Sequence, residues 1–129
     1  MTVSAPPRLL VRFFVPGRPA NLGNGRMHWG EKARVVASER AATRVIGGAA
    51  MGHAKVGKAT GKRKLVLTLM LAGQILDRDN AYSAGKPYCD GVQDCGLILD
   101  DSPEWCDLEV RQKKVRFRDT QGVMVEVWE

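Results

Sequence analysis

Two short acidic segments of the chain carry residue types that can do chemistry. LDRDNAYSAGK (76–86) sets Asp77 and Asp79 one residue apart, with Asn80 beside them and Lys86 further on. LILDDSP (97–103) holds Asp100 and Asp101, and Asp90 lies between the two segments. In an extended chain Asp77 and Asp79 face the same way, with Cα atoms about 6.6–7 Å apart. The adjacent Asp100 and Asp101 diverge, so only one of them easily joins the first pair. Three carboxylates in one pocket repel, each close pair by on the order of 4 kcal/mol at an effective dielectric near 20. Such a cluster needs a shared proton or a bound cation. Oxygen-only ligands select hard cations, above all magnesium or manganese. Two such ions about 3.5–4 Å apart activate water and stabilise the leaving oxygen in phosphodiester hydrolysis. Asn80 adds a neutral oxygen or an amide donor, and Lys86 suits a phosphate or developing negative charge. The competing use of Asp and Asn after a strand is to cap and turn the chain.

Charge is distributed unevenly. Residues 1–76 hold 13 Lys and Arg against 2 Asp and Glu, a net of +11. Residues 77–107 hold 2 against 8, a net of −6, and residues 108–129 hold 5 against 4, which gives +6 for the whole chain. A basic body around a compact acidic stretch points to a polyanionic partner and a cation-holding site in one domain. Other chemistries find less support. A calcium loop starting at Asp77 would place Tyr82 where glycine is needed and Tyr88 where the closing Glu belongs. There is no phosphate-binding G-x-x-x-x-G-K-[ST] motif. His28 and His53 stand in Gly-rich surroundings without evident partners. Cys89, Cys95 and Cys106 are odd in number and lack C-x-x-C spacing, which argues against a disulfide framework or zinc site and for reduced, buried thiols. The segment MTVSAPPRLLVRFF lacks a long apolar leader core, so an uncleaved cytoplasmic protein is expected.

The elements that must position these residues follow from patterning. RLLVRFFV (8–15) reads as a strand ending at Pro16-Gly17, followed by a Gly/Pro/Asn/Arg-rich loop. Helical spacing over 31–46 stops at Gly47-Gly48, and GGAAMGHAKVGKATGKRK (47–64) reads as a mobile basic loop. KLVLTLMLA (64–72) is apolar enough for a central strand. Pro87 is placed to open a short helix, PYCDGVQDCG, closed at Gly96. Residues 107–117 and 122–129 alternate well enough for an antiparallel hairpin across DTQG, and the last strand, with Trp128, fits either an edge used in pairing or the completion of the sheet. The expectation is a single α/β (α+β) domain over 1–129, with β-α-β-α-β-β order and helices packed on a mixed sheet.

The combined pattern, D-x-D-N, then Lys86 four residues before Asp90, then Gly96 and Asp100-Asp101, resembles the RusA family of Holliday junction resolvases. The order of elements and the early Arg-rich loop also fit. That resemblance implies a small homodimeric, magnesium-dependent endonuclease (manganese as a substitute) that resolves four-way DNA junctions, of a kind often encoded by phages. It implies Asp77, Asp79 and Asp101 as catalytic, metal-holding carboxylates and Lys86 as the essential lysine, with Asn80, Asp90 and Asp100 in support. Arg18, Arg26 and Arg34, with Lys62, Arg63 and Lys64, are the expected phosphate contacts. The chain departs from the family in two places: the stretch from Asn80 to Lys86 is longer and is expected to loop, and Leu76 stands where a basic residue is common. The alternatives are a non-catalytic DNA-binding protein that keeps the fold and a basic interaction protein whose carboxylates only cap.

Overall fold

Arg63–Leu71 forms the strand on which the rest of the molecule is organised. In the computed structural model, which describes residues 6–19 and 29–129, the elements are β1 (Leu9–Pro16), α1 (Trp29–Ala54), β2 (Arg63–Leu71), α2 (Arg78–Asp94), β3 (Cys106–Lys114), a 3-10 turn at Arg118–Thr120, and β4 (Gly122–Trp128). They form a single α/β domain of β-α-β-α-β-β order, a four-stranded mixed sheet carrying two helices. Sheet order is β1-β4-β2-β3. Along β2 the side chains of Leu65, Leu67, Leu69 and Leu71 project to one face and are at most 3% exposed. They meet Val11, Phe13 and Val15 of β1, Val123, Val125 and Val127 of β4, and Ala84, Tyr88 and Val92 of α2 in one core. The central position expected for this strand is what is found. No helix among the described residues is long and apolar enough to cross a membrane.

The expected hairpin does not form. Among the described strands β3 pairs only with β2, in parallel, while β4 lies antiparallel between β1 and β2. Composition explains the exchange. GVMVEVW buries three valines completely and takes an interior slot. CDLEVRQKK carries charge along its length, which suits an edge where stray strand pairing must be discouraged. The last strand is therefore neither an edge nor a hairpin partner of β3. A parallel β2–β3 pair also needs a crossover, which α2 supplies.

Both helices run further than their sequence signals imply. α1 passes through Gly47-Gly48 to Ala54, so the loop begins only at Lys55, and His53 sits in the helix's last turn. Gly47 is there for close packing rather than for a stop: a Cβ on it would stand 3.1 Å from both Cys95 Sγ and a Phe13 ring carbon. α1 ends instead where Lys55 adopts a positive φ of 56° and Val56 N donates to Met51 O at 2.9 Å. α2 starts at Arg78, well before Pro87, and contains that proline. The segment expected to loop is helical because Asp77 caps it and Ala81 and Ala84 bury against the core. The two helices cross closely at Gly91, where a Cβ would come within 2.7 Å of Arg40 O. Arg40 and Asp94 bind each other there through two hydrogen bonds, at 2.6 and 2.8 Å.

Arg63 is the clearest correction among the expected phosphate contacts. It is 8% exposed, its Nη1 donates to Gly57 O and Leu97 O at 3.1 Å, and its Nε donates to Glu129 at 3.0 Å. A guanidinium committed to two loop carbonyls and a carboxylate holds the start of β2 together and does not reach a phosphate.

Candidate functional site

Asp77 sits at the end of the β2–α2 link, in extended conformation (φ −66°, ψ 166°), as the N-cap of α2. Its carboxylate accepts from Asn80 N at 2.9 Å and from Asn80 Nδ2 at 2.8 Å, satisfying one of the helix's open N–H donors. Asp79 follows in the first turn, exposed, where a negative charge is favoured by the helix dipole. The D-x-D-N pair is therefore a helix start and not an extended strand end. Arg78 stacks over the Tyr82 ring, 5.7 Å from its centroid.

The place of this helix start is set from β3. Gln112 Oε1 accepts from Leu76 N at 2.7 Å, and Gln112 Nε2 donates to Leu76 O at 2.8 Å. One amide thus copies a strand's hydrogen-bonding edge and pins the residue before Asp77. Nothing in the sequence around Gln112 marks this role, because its partner is 36 positions away and the contact depends on the parallel β2–β3 register.

Along α2, Asp79, Lys86 and Asp90 recur at spacings of seven and four, which keeps them within about 40° of one another around the helix axis. Lys86 lies about 10.5 Å down the axis from Asp79 at 1.5 Å per residue. It pairs with Asp90 at 3.2 Å, one turn on, and with Asp101, which the 95–105 segment brings back against the helix. Asp101 N in turn donates to Asp100 Oδ1 at 2.9 Å. The longer 80–86 stretch therefore delivers Lys86 to the DD pair as helix. The hydrogen bond to Asp101 raises the Lys86 pKa, and the same bond holds the Asp101 carboxyl below its ordinary range. Cys89 and Cys106 lie beneath this cluster, and burial pushes their thiols up to about 12 and about 11, leaving both protonated and unreactive near neutrality.

The motif residues thus fall into two groups. Asp77, Asp79 and Asn80 occupy the head of α2; Lys86, Asp90, Asp100 and Asp101 meet further down it. Among the described residues no three His, Cys, Asp or Glu side chains are placed to hold a metal ion together. The donors suit a hard cation by type, all being oxygen, but they do not fit it as arranged: Asn80 engages Asp77 and Lys86 engages Asp101.

Of the other expected phosphate contacts, Arg26 lies outside the described residues, as does His28. Arg18 is exposed and shares a groove with Leu76, close to the head of α2. Arg34 is exposed on α1, Lys62 is exposed before β2, and Lys64 lies 3.9 Å from Glu109. Comparison with protein-family models, with curated proteins and with solved structures returned no match to this chain.

Proposed function

We propose that the protein is a structure-selective endodeoxyribonuclease acting on branched DNA, as the resemblance to the RusA-family resolvases implies, and that magnesium or manganese is its cofactor. The observation that carries the reading is the Lys86–Asp101 contact, which joins residues 15 apart and brings the lysine of the first acidic segment to the aspartate pair of the second. A lysine held against a low-pKa carboxylate stays charged and is positioned to meet a phosphate oxygen. The basic surfaces of the N-terminal half supply non-specific attraction for the backbone. In this reading the protein works as a homodimer, each protomer nicking one strand. In this reading Asp77, Asp79 and Asp101 would hold the cation, which would supply an activated water, and Lys86 would face the phosphate.

The second reading, a DNA-binding protein without cleavage, is favoured by the separation of the carboxylates into two groups. Incubating a labelled four-way junction with the protein in magnesium, in manganese and in EDTA decides between them. Paired symmetric nicks in either metal, absent with EDTA, are expected. Binding without nicking in both metals would overturn the nuclease reading in favour of the second.

A further inference from the structure

The segment RQKKVRFR (111–118) holds five cations in eight residues, none of which takes part in the site described above. It comprises the last part of the edge strand β3 and its continuation to the 3-10 turn. Arg111 pairs with Glu109 at 2.6 Å, but Lys113, Lys114, Arg116 and Arg118 are exposed and, among the described residues, take part in no ion pair. In the same run Phe117 is 57% exposed, with the Arg116 guanidinium 5.4 Å from its ring centroid. The ring is presented from ordered backbone: Phe117 O accepts from Thr120 Oγ1 at 2.7 Å and from Thr120 N at 3.1 Å. Below it, Gln121 is buried and holds Arg118 O at 3.0 Å and Ala72 N at 2.9 Å.

We infer that this run is a nucleic-acid-binding surface, on which Lys113, Lys114, Arg116 and Arg118 contact backbone phosphates and Phe117 stacks on a base outside the duplex stack. Three observations select that partner. The β3 part of the run, as far as Lys114, is extended and rises about 3.3 Å per residue, close to the rise per phosphate along one DNA strand, about 3.4 Å. Unpaired cations interleaved with an exposed aromatic ring are what a single-stranded or branch-point segment requires: charge for the backbone and a flat apolar face for the base. The run also leads to the candidate site, since Gln112 within it grips Leu76, the neighbour of Asp77. Nucleic acid lying on it passes the head of α2, where Asp77 and Asp79 would otherwise repel phosphate. The inference deepens the proposed function, and rests on it for the identity of the substrate as branched DNA, but the binding surface itself is testable without cleavage.

The test is fluorescence anisotropy in EDTA, across a salt series, with a labelled single strand, a four-way junction and a blunt duplex. Replacing Lys113, Lys114, Arg116 and Arg118 together by Ser should weaken binding to all three by about a hundredfold. It should also lower the salt slope by about 3. Phe117→Ala should weaken single-strand and junction binding by about tenfold and leave duplex binding within about twofold. Circular dichroism melting identifies variants that keep the fold. A folded quadruple variant with wild-type affinity and slope would overturn the inference, as would Phe117→Ala binding all three probes normally. Loss of binding to phosphatidylserine vesicles with DNA binding intact would assign the run to a membrane surface and equally overturn it. Nicking measured separately in magnesium keeps the two claims apart. Binding through this run without any nicking defeats only the nuclease reading, and wild-type nicking by the quadruple variant defeats only the inference.

Discussion

The head of α2 and the middle of α2 both carry aspartates, but these are held by different physics. At the head, the Asp77 carboxylate is engaged by Asn80, three residues on, in a cap that any helix start of this kind can form. In the middle, Lys86 meets Asp101 across 15 residues, through a contact that exists only once the crossover between β2 and β3 is complete. A local cap has a sufficient structural reason. A charged pair assembled by tertiary folding on an exposed surface does not, because such pairs contribute little to stability. The difference teaches where function is more strongly implied: in the Lys86–Asp101 region, with the head of α2 as the part that must be shown to do more than cap.

Substitutions can break this comparison at either end. The largest effect is expected for Asp101→Asn and Asp79→Asn, each lowering junction nicking by about a hundredfold or more while junction binding persists. Unchanged nicking in Asp79→Asn would reduce the head of α2 to a cap. Next comes Gln112→Ala, which removes both hydrogen bonds to Leu76 and should cost about 1–3 kcal/mol in urea unfolding, with nicking more affected than binding. An unaltered unfolding midpoint would show that the amide does not hold the helix start. Asp77→Ala should cost about 0.5–2 kcal/mol, whereas Asp77→Ser keeps a capping oxygen and should restore most of that stability. If Asp77→Ser also restores nicking, the Asp77 carboxylate has no chemical role.

The smallest effect is on acid stability. Lys86 holds the folded Asp101 pKa below the value of about 3.9 expected in the unfolded chain. Its contribution is therefore present above about pH 4 and is lost as pH falls through the lower folded value. The two side chains are 57% and 33% exposed, so solvent screening keeps the contribution below about 1 kcal/mol. Melting temperatures taken from about pH 6 down to 2 should fall slightly more steeply for wild type than for Asp101→Asn. Parallel curves would mean that the pair adds nothing in solution.

Much of this architecture was legible from short-range patterns. The three apolar strands and the α/β order follow from apolar runs and turn residues, and β2 is central because LVLTLML has little polar surface to expose. What was not legible depends on long-range partners. Gly47 looks like a helix stop until Phe13 and Cys95 are seen against it. Residues 80–86 look like a loop before Pro87 until Asp77 caps them and Ala81 and Ala84 find the core. The hairpin of β3 and β4 fails because β4 is the more buriable strand and displaces β3 to the edge. Arg63 reads like its neighbours Lys62 and Lys64, and only its place beside Gly57 and Leu97 separates it from them. Within the candidate site the motif residues were visible by type and spacing, but their division into two groups was not. It follows from where along α2 the 95–105 segment returns.

The most direct measurement is nicking of a labelled four-way junction in magnesium by wild type and by Lys86→Ala, with binding measured in parallel. Paired nicks by the wild type, and junction binding without nicks by the variant, are expected. Equal nicking by both proteins would contradict the nuclease reading, because Lys86 and its contact with Asp101 would then have no part in the chemistry.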